Sequence, residues 1–354
     1  MLDPARYFDH AATTPLAPEV LKEMEPFLGL PANAGSIHAF GRRAMDAVER
    51  ARARVAEAVG AEDPAQIVFT SGATEACNTV LNAHDGGWIS PFEHAAVREP
   101  AIARGYRVLP NEELTLRPDP KGEGLLAVMA VNNEIGAQWE ARDLPAQSRF
   151  VDATQALGKV ALNLDEIDYA AFSAHKLYGP QGIGALFTAS GSMEPLLRGG
   201  EQEEGRRAGT QNVAGIVGFG AACALAQDRL EEDDAHVTEL RWTLIQELLA
   251  SNLTDWRIIA PETSVPHILS ISFFGVEGET LVIEADHAGF AISAGAACSS
   301  RSTEPSHVLT ALGLEEQWRR GTVRISFGRG NTKETVAALG KTLVRSTENL
   351  RTIA

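Results

Sequence analysis

The chain has 354 residues, of which 44% are hydrophobic and 22% charged, and a formal net charge of −16. That length predicts two domains, because single cores stop growing at roughly 250–300 residues, and the acidic balance argues against a nucleic-acid or anionic-membrane partner. No apolar run reads as a bilayer span, and the first twenty residues lack the basic-then-apolar pattern of a secretion leader. The three cysteines (Cys77, Cys223, Cys298) are spaced for neither a disulfide framework nor a metal site, so the expectation is a cytoplasmic protein without a metal centre.

In chain order, residues 7–18 read as an extended, proline-punctuated lead-in. A loop, Asn33-Ala34-Gly35-Ser36-Ile37-His38, precedes a helix predicted over 41–59, where Ala, Val and Met recur on one face. Gln66-Ile67-Val68-Phe69 is a short strand that runs into Thr70-Ser71-Gly72-Ala73-Thr74-Glu75 and a helix to Leu81. A strand, a glycine turn and a helix N-terminus offer free N–H groups and a positive dipole end to a phosphate. The same residues serve equally as a plain helix cap.

A weak strand at Trp88-Ile89 precedes a helix over 95–104. A strong buried strand over 125–131 ends in Asn132-Asn133-Glu134-Ile135-Gly136, and another at 149–151 ends in Asp152-Ala153-Thr154-Gln155. The apolar run Tyr169-Ala170-Ala171-Phe172 turns out through Ser173-Ala174-His175-Lys176, followed at once by turn-forming residues. After a strand at 184–187 come a glycine-rich loop (Gly199, Gly200, Gly205, Gly209) and a long helical region over 212–252. Beyond Pro261 the pattern changes to a strand over 267–273, a helix over 277–288, a small-residue loop over 293–304, a strand over 323–327 and a helix over 332–351.

This alternation predicts an α/β fold: a large domain, 11–250, with a mostly parallel sheet flanked by helices, and a smaller α+β domain formed by 1–10 and 251–354. Ligands of such sheets bind beyond the carboxyl ends of the strands, where Asn133, Asp152 and Lys176 all fall. A lysine at a strand end, desolvated enough to lose its proton, suits Schiff-base chemistry; the bland alternative is a surface lysine beside a loop histidine. A phosphate cradle, a buried carboxylate and that lysine are together what pyridoxal phosphate (PLP) requires. Asp152 alone reads as a turn residue and His94 as a cap, until their places around Lys176 are considered.

The motifs SGATEACN, EHAAV, NNEIG, VDATQ, SAHKLYGPQGIG, RRAGTQNV, GAACSS with EPSHVL, and VRISFGR occur in this order. Together they resemble the PLP-dependent cysteine desulfurases of the class V aminotransferase superfamily, over nearly the whole chain. The resemblance implies PLP fold type I, with a seven-stranded-type sheet, and a homodimer with its sites near the subunit interface. It implies Lys176 as the Schiff-base lysine, Asp152 at the pyridine nitrogen, Gln155 near the phenolic oxygen and His94 on the ring, shuttling a proton. Ala73, Thr74, Ser173 and His175 hold the phosphate, joined by Thr210 of the other subunit; Asn33, Asn133 and Arg324 sit with the substrate. Cys298, in a small-residue segment able to move, takes sulfur from L-cysteine as a persulfide and passes it to an acceptor or scaffold protein for iron–sulfur cluster assembly. Cys77 and Cys223 read as buried apolar residues.

Three departures stand out: short segments between Tyr106 and Asn132 and between Gln138 and Arg149, an asparagine loop lacking its usual proline, and Glu204 where relatives commonly have arginine. The same cofactor residues would serve a class V aminotransferase or a selenocysteine lyase. A catalytically silent sulfur-delivery partner is a third alternative, opposed by the intact Lys176, Asp152 and Cys298.

Overall fold

The computed structural model describes residues 3–117, 122–295 and 306–353. Helix α1 (Pro18–Leu28) begins on a proline, whose fixed φ suits the first helical turn, and buries Val20 and Met24. Helix α2 (Ala39–Val59) buries Ala44, Ala47, Val48, Ala51 and Val55 at helical spacing and stops at Gly60, whose φ of 75° makes a left-handed cap. Strand β1 (Ile67–Thr70), buried throughout, leads into α3 (Ala73–Asn82). β2 (Gly87–Ile89), α4 (Ala95–Ala103) and β3 (Arg107–Val108) follow, then a small hairpin of β4 (Asn111–Glu112) and β5 (Thr115–Leu116).

Strands β6 (Leu125–Ala127), β7 (Ser148–Asp152), β8 (Tyr169–Ser173) and β9 (Gly184–Thr188) complete a seven-stranded sheet in the order β1-β9-β8-β7-β6-β2-β3. Pairs from β8 across to β3 are parallel, and β9 runs antiparallel to both β8 and β1. The expected mostly parallel α/β sheet is therefore present, and the carboxyl ends of β1, β6, β7 and β8 share one edge. The strand expected over 125–131 closes at Ala127. Towards β7 its bonds continue, Val128 N–H to Phe150 O and Ala130 N–H to Asp152 O. On the other side β2 has ended, and the Glu93 carboxylate takes the Met129 N–H at 2.7 Å in place of a strand.

The long helix α5 (Val213–Leu249) serves two cores. Its first half, through Ala226, is buried with the large sheet, and Val237 to Leu248 are buried with the second cluster. It is the one described helix long and apolar enough to cross a bilayer, yet 61% of the apolar stretch is covered by the fold, as suits a core helix. The second sheet follows: β10 (Trp256–Ile258), β11 (Ile268–Phe273), α6 (Gly278–His287), β12 (Ser293–Ala294), α7 (His307–Ala311), α8 (Glu316–Arg320), β13 (Thr322–Ser326) and α9 (Lys333–Ile353). Its four strands are antiparallel in the order β10-β11-β13-β12. The small-residue loop expected over 293–304 thus opens with a two-residue strand; the rest of it, with Cys298, lies outside the described residues. Tyr7 and Asp9 bridge to Ala291 and Ser326, which ties the start of the chain to this sheet.

One glycine decides how closely the strands approach the turn before α3. A Cβ at Gly184 would lie 2.4 Å from Phe172 O and 2.7 Å from Gly72 Cα, both backbone atoms that cannot swing aside. Gly184→Ala is therefore expected to destabilise the protein by about 1–3 kcal/mol, as overpacking does, measured by denaturant unfolding.

Candidate active site

A cavity of about 530 Å³ opens at the carboxyl ends of β1, β7 and β8. Ala73, Thr74, Ser173 and His175 line one part of it; His94, Asp152, Gln155 and Lys176 line another, with Asn133 and Arg324 opposite. Residues up to 251 positions apart in sequence (73 to 324) are thus brought to one place. Asn33 and Thr210 do not line it. Asn33 is exposed, its Oδ1 accepting the Gly35 N–H at 3.0 Å, and Thr210 is exposed on the glycine-rich loop.

Each wall follows from local structure. Helix α3 starts at Gly72 with no side-chain cap, so its first N–H groups point to the cavity with the positive end of the helix dipole. Asp152 ends β7, is 5% exposed, and accepts the Thr154 N–H at 3.0 Å. His94 is the cap of α4, its Nδ1 accepting the Ala96 N–H at 3.1 Å, and it also lines the cavity. The cap and the wall are one residue, because a cap at this strand end faces the opening. Lys176 follows β8 through a single 3-10 turn, and its Nζ donates to the carbonyls of Ala11 (2.7 Å) and Ala12 (2.6 Å).

Arg324, 2% exposed on β13, donates through Nη2 to Asp9 Oδ1 (2.6 Å) and through Nη1 to Asn133 O (2.9 Å). Among the described residues its Nε has no partner, and neither has Thr154 Oγ1, also buried and on a cavity-lining residue. The glycine-rich loop is pinned beside α3: Arg207 pairs with Glu75 (2.8 Å), and Glu203 receives Arg52 (2.6 Å), the Phe69 N–H (3.0 Å) and Gln211 (2.6 Å). Glu204 stays exposed and pairs with Arg206 at 3.4 Å, so its charge is met on the surface.

Burial shifts several titratable groups in and behind the cavity. Burial, then the charges of Lys176 and Lys159, lower His175 to about 4. Burial, with Lys176 and Arg324 adding to it, lowers Lys159 to about 7. Burial raises Glu93 to about 8 and Glu134 to about 7. Cys77 and Cys223 are fully buried, and burial pushes both thiols up, which suits inert core residues.

Residues 6–339 match the model of the aminotransferase class-V family. The chain belongs to that family. It is 38% identical to the cysteine desulfurase IscS of Dictyoglomus turgidum, over 98% of this chain and 96% of the relative. Among solved structures it resembles a NifS-like protein (TM-score 0.85, 33% identity, 98% of this chain and 99% of that one). It also resembles SspA in complex with cysteine (TM-score 0.74, 29% identity, 92% and 100%).

The sequence motifs did not single out the second ring of family-site neighbours: Asp9, which holds Arg324; Thr13, whose Oγ1 lies 3.1 Å from His175 Nδ1; and Glu93 and Lys159. Asp9 and Thr13 sit in the lead-in over residues 7–18, but nothing local says that they face residues more than 160 positions away. Glu93 carried one readable signal, an acid between Phe92 and the helix start, where burial is unusual for a carboxylate.

Glu93 yields a pH prediction. Its Oε1 accepts Ser90 Oγ–H (2.6 Å) and the Met129 N–H, while Oε2 is buried without a partner. The folded protein therefore keeps a proton that the unfolded chain releases near the ordinary carboxyl value of about 4.3, and stability falls as pH rises from there to about 8. Glu93→Gln keeps the Oε1 bonds and carries no ionisable proton. Its unfolding free energy should exceed that of the parent by up to about 5 kcal/mol at pH 9 and converge with it near pH 4, followed by denaturant titration across pH.

Proposed function

We propose that the protein is a PLP-dependent cysteine desulfurase that converts L-cysteine to L-alanine and receives the sulfur as a persulfide on Cys298. The observation that carries the reading is the convergence of a strand-end lysine, a buried aspartate and an uncapped helix N-terminus on one cavity of suitable size. The kinship to proteins named cysteine desulfurases, and to one solved with cysteine, supports the substrate.

The residues fit the cofactor. The α3 N-terminus has donors for a phosphate, and Gly72 leaves the approach to Ser173 Oγ open. Ala73, Thr74, Ser173 and His175 would hold the phosphate, Asp152 the pyridine nitrogen, Gln155 the phenolic oxygen and His94 the ring face. Bound there, PLP supplies an electron sink for the carbon that bears the substrate amine.

The protein's own side chains do the rest. Lys176 Nζ would hold the cofactor and, once freed by the substrate amine, would take the proton from the carbon that bears that amine. Arg324, with its free Nε, and Asn133 receive the substrate carboxylate. The Cys298 thiolate then attacks the substrate sulfur: the new S–S bond forms as the C–S bond breaks, its electron pair stays on carbon, and protonation there gives alanine. His94 moves the proton of the substrate thiol.

Thr210, exposed and outside its own cavity, suits a phosphate contact in the other subunit of a homodimer, which leaves Asn33 as the assigned residue among the described ones with no place in the cavity. An acceptor or scaffold protein would take the persulfide sulfur for iron–sulfur cluster assembly. A reducing cytoplasmic setting agrees with the free thiols of Cys77 and Cys223.

Two variants test the reading. Lys176→Ala should lose the borohydride-reducible link to PLP, detected by mass spectrometry; the reduced cofactor on another lysine would overturn the assignment. Cys298→Ser should still bind L-cysteine spectroscopically yet form no protein persulfide and at least a hundredfold less alanine, on the order expected for loss of a nucleophile. Wild-type alanine production by that variant would favour a direct lyase.

A further inference from the structure

Behind Gln155 the chain makes a tight helical turn, with Ala156 N–H to Ala153 O and Lys159 N–H to Ala156 O. Gly158, at φ +71°, lets this turn press against α5: a Cβ there would lie 2.7 Å from Ala226 Cβ. The turn carries Lys159 inward, four residues after Gln155 and on the same face. Lys159 forms no ion pair among the described residues; its Nζ donates to Gln155 Oε1 at 3.2 Å. At its other end, Gln155 Nε2 donates to Ala11 O at 2.8 Å, the carbonyl that also receives Lys176.

The Ala11 contact decides which way the carboxamide faces. A carbonyl can only accept, so Gln155 must turn its nitrogen to Ala11, which leaves its oxygen towards Lys159, a donor as ammonium or as amine. One Nε2 hydrogen then remains, on a side chain that lines the cavity. We propose that Lys159 is a positioning residue, which through Gln155 Oε1 holds that remaining hydrogen ready for an acceptor oxygen of the bound molecule, the ring hydroxyl oxygen of PLP. The inference rests on the functional reading above and adds a residue to it. Lys159 itself reaches neither cofactor nor substrate in this role. Its other neighbours do not take its place: His10 and His267, on the side away from the cavity, are buried and held neutral.

The test is a double-mutant cycle on the holoenzyme, with PLP affinity read by fluorescence titration and the visible absorption maximum of the bound cofactor read in parallel. Lys159→Met keeps the stem and removes the donor, and should weaken PLP by roughly tenfold, about one hydrogen bond. It should shift the absorption maximum in the direction of Gln155→Leu. Lys159→Arg, which keeps a donor, should restore both within about threefold. The double variant Lys159→Met/Gln155→Leu should bind PLP no more weakly than Gln155→Leu alone, because Lys159 acts through that side chain. Full additivity, or wild-type affinity and spectrum in Lys159→Met, would overturn the inference. If Lys159→Met melts too early to titrate, Lys159→Leu, which also lacks a donor, enters the same cycle with the same expectations. Failure of the wild-type protein to bind PLP would overturn the functional reading and this inference together, whereas normal wild-type binding with an indifferent Lys159→Met removes the inference alone.

Discussion

The hydrogen bonds that residues 9–14 make on both sides hold the site together. On one side Asp9 takes Arg324 at 2.6 Å and the Ala11 N–H goes to Ser326 Oγ at 2.9 Å, so the segment is fixed to the second sheet. On the other, the Ala11 and Ala12 carbonyls receive Lys176, Ala11 O receives Gln155, and the Thr14 N–H goes to His175 O at 2.9 Å. The segment, which turns at residues 10–12 where an extended run was expected, can do this because its backbone groups are not spent in a helix or a sheet interior. Loss of its register would release the lysine, the carboxamide and the arginine at once.

Charge is the second organising constraint. Burial, with Lys176 and Arg324 adding to it, lowers Lys159, and His175 is pushed to the neutral form by burial and by both lysines. Concentrated buried cations are costly unless an anion joins them. Asp152 and Asp9 supply part of that compensation, and the free N-terminus of α3 adds positive potential on the same side.

Much of the fold was legible from residue pattern. The alternation of buried strands with helices indicated the parallel sheet, and the change of rhythm after Pro261 indicated the second sheet, because a strand buried on both faces and an amphipathic helix impose different apolar periods. Helix α1, β10 and the β4–β5 hairpin carried weak patterns and were not predicted. The strand over 125–131 looked uniformly apolar, yet its ladder stops where a neighbour stops, and apolarity records burial rather than pairing.

The sequence by itself determined which chemistry the chain carries. A lysine after a buried strand, an aspartate after another and a glycine turn before a helix are local arrangements, each readable within about ten residues, and their order along the chain indicated the family. Tertiary structure alone decided which of those groups meet. Asn33 does not reach the cavity and Thr210 faces away from it, while Asp9, Thr13 and Lys159 stand behind the first layer of side chains. The physical reason is that orientation in this site comes from hydrogen bonds across sequence separations of up to 315 residues, and such pairings depend on how the sheets close on one another rather than on any local pattern.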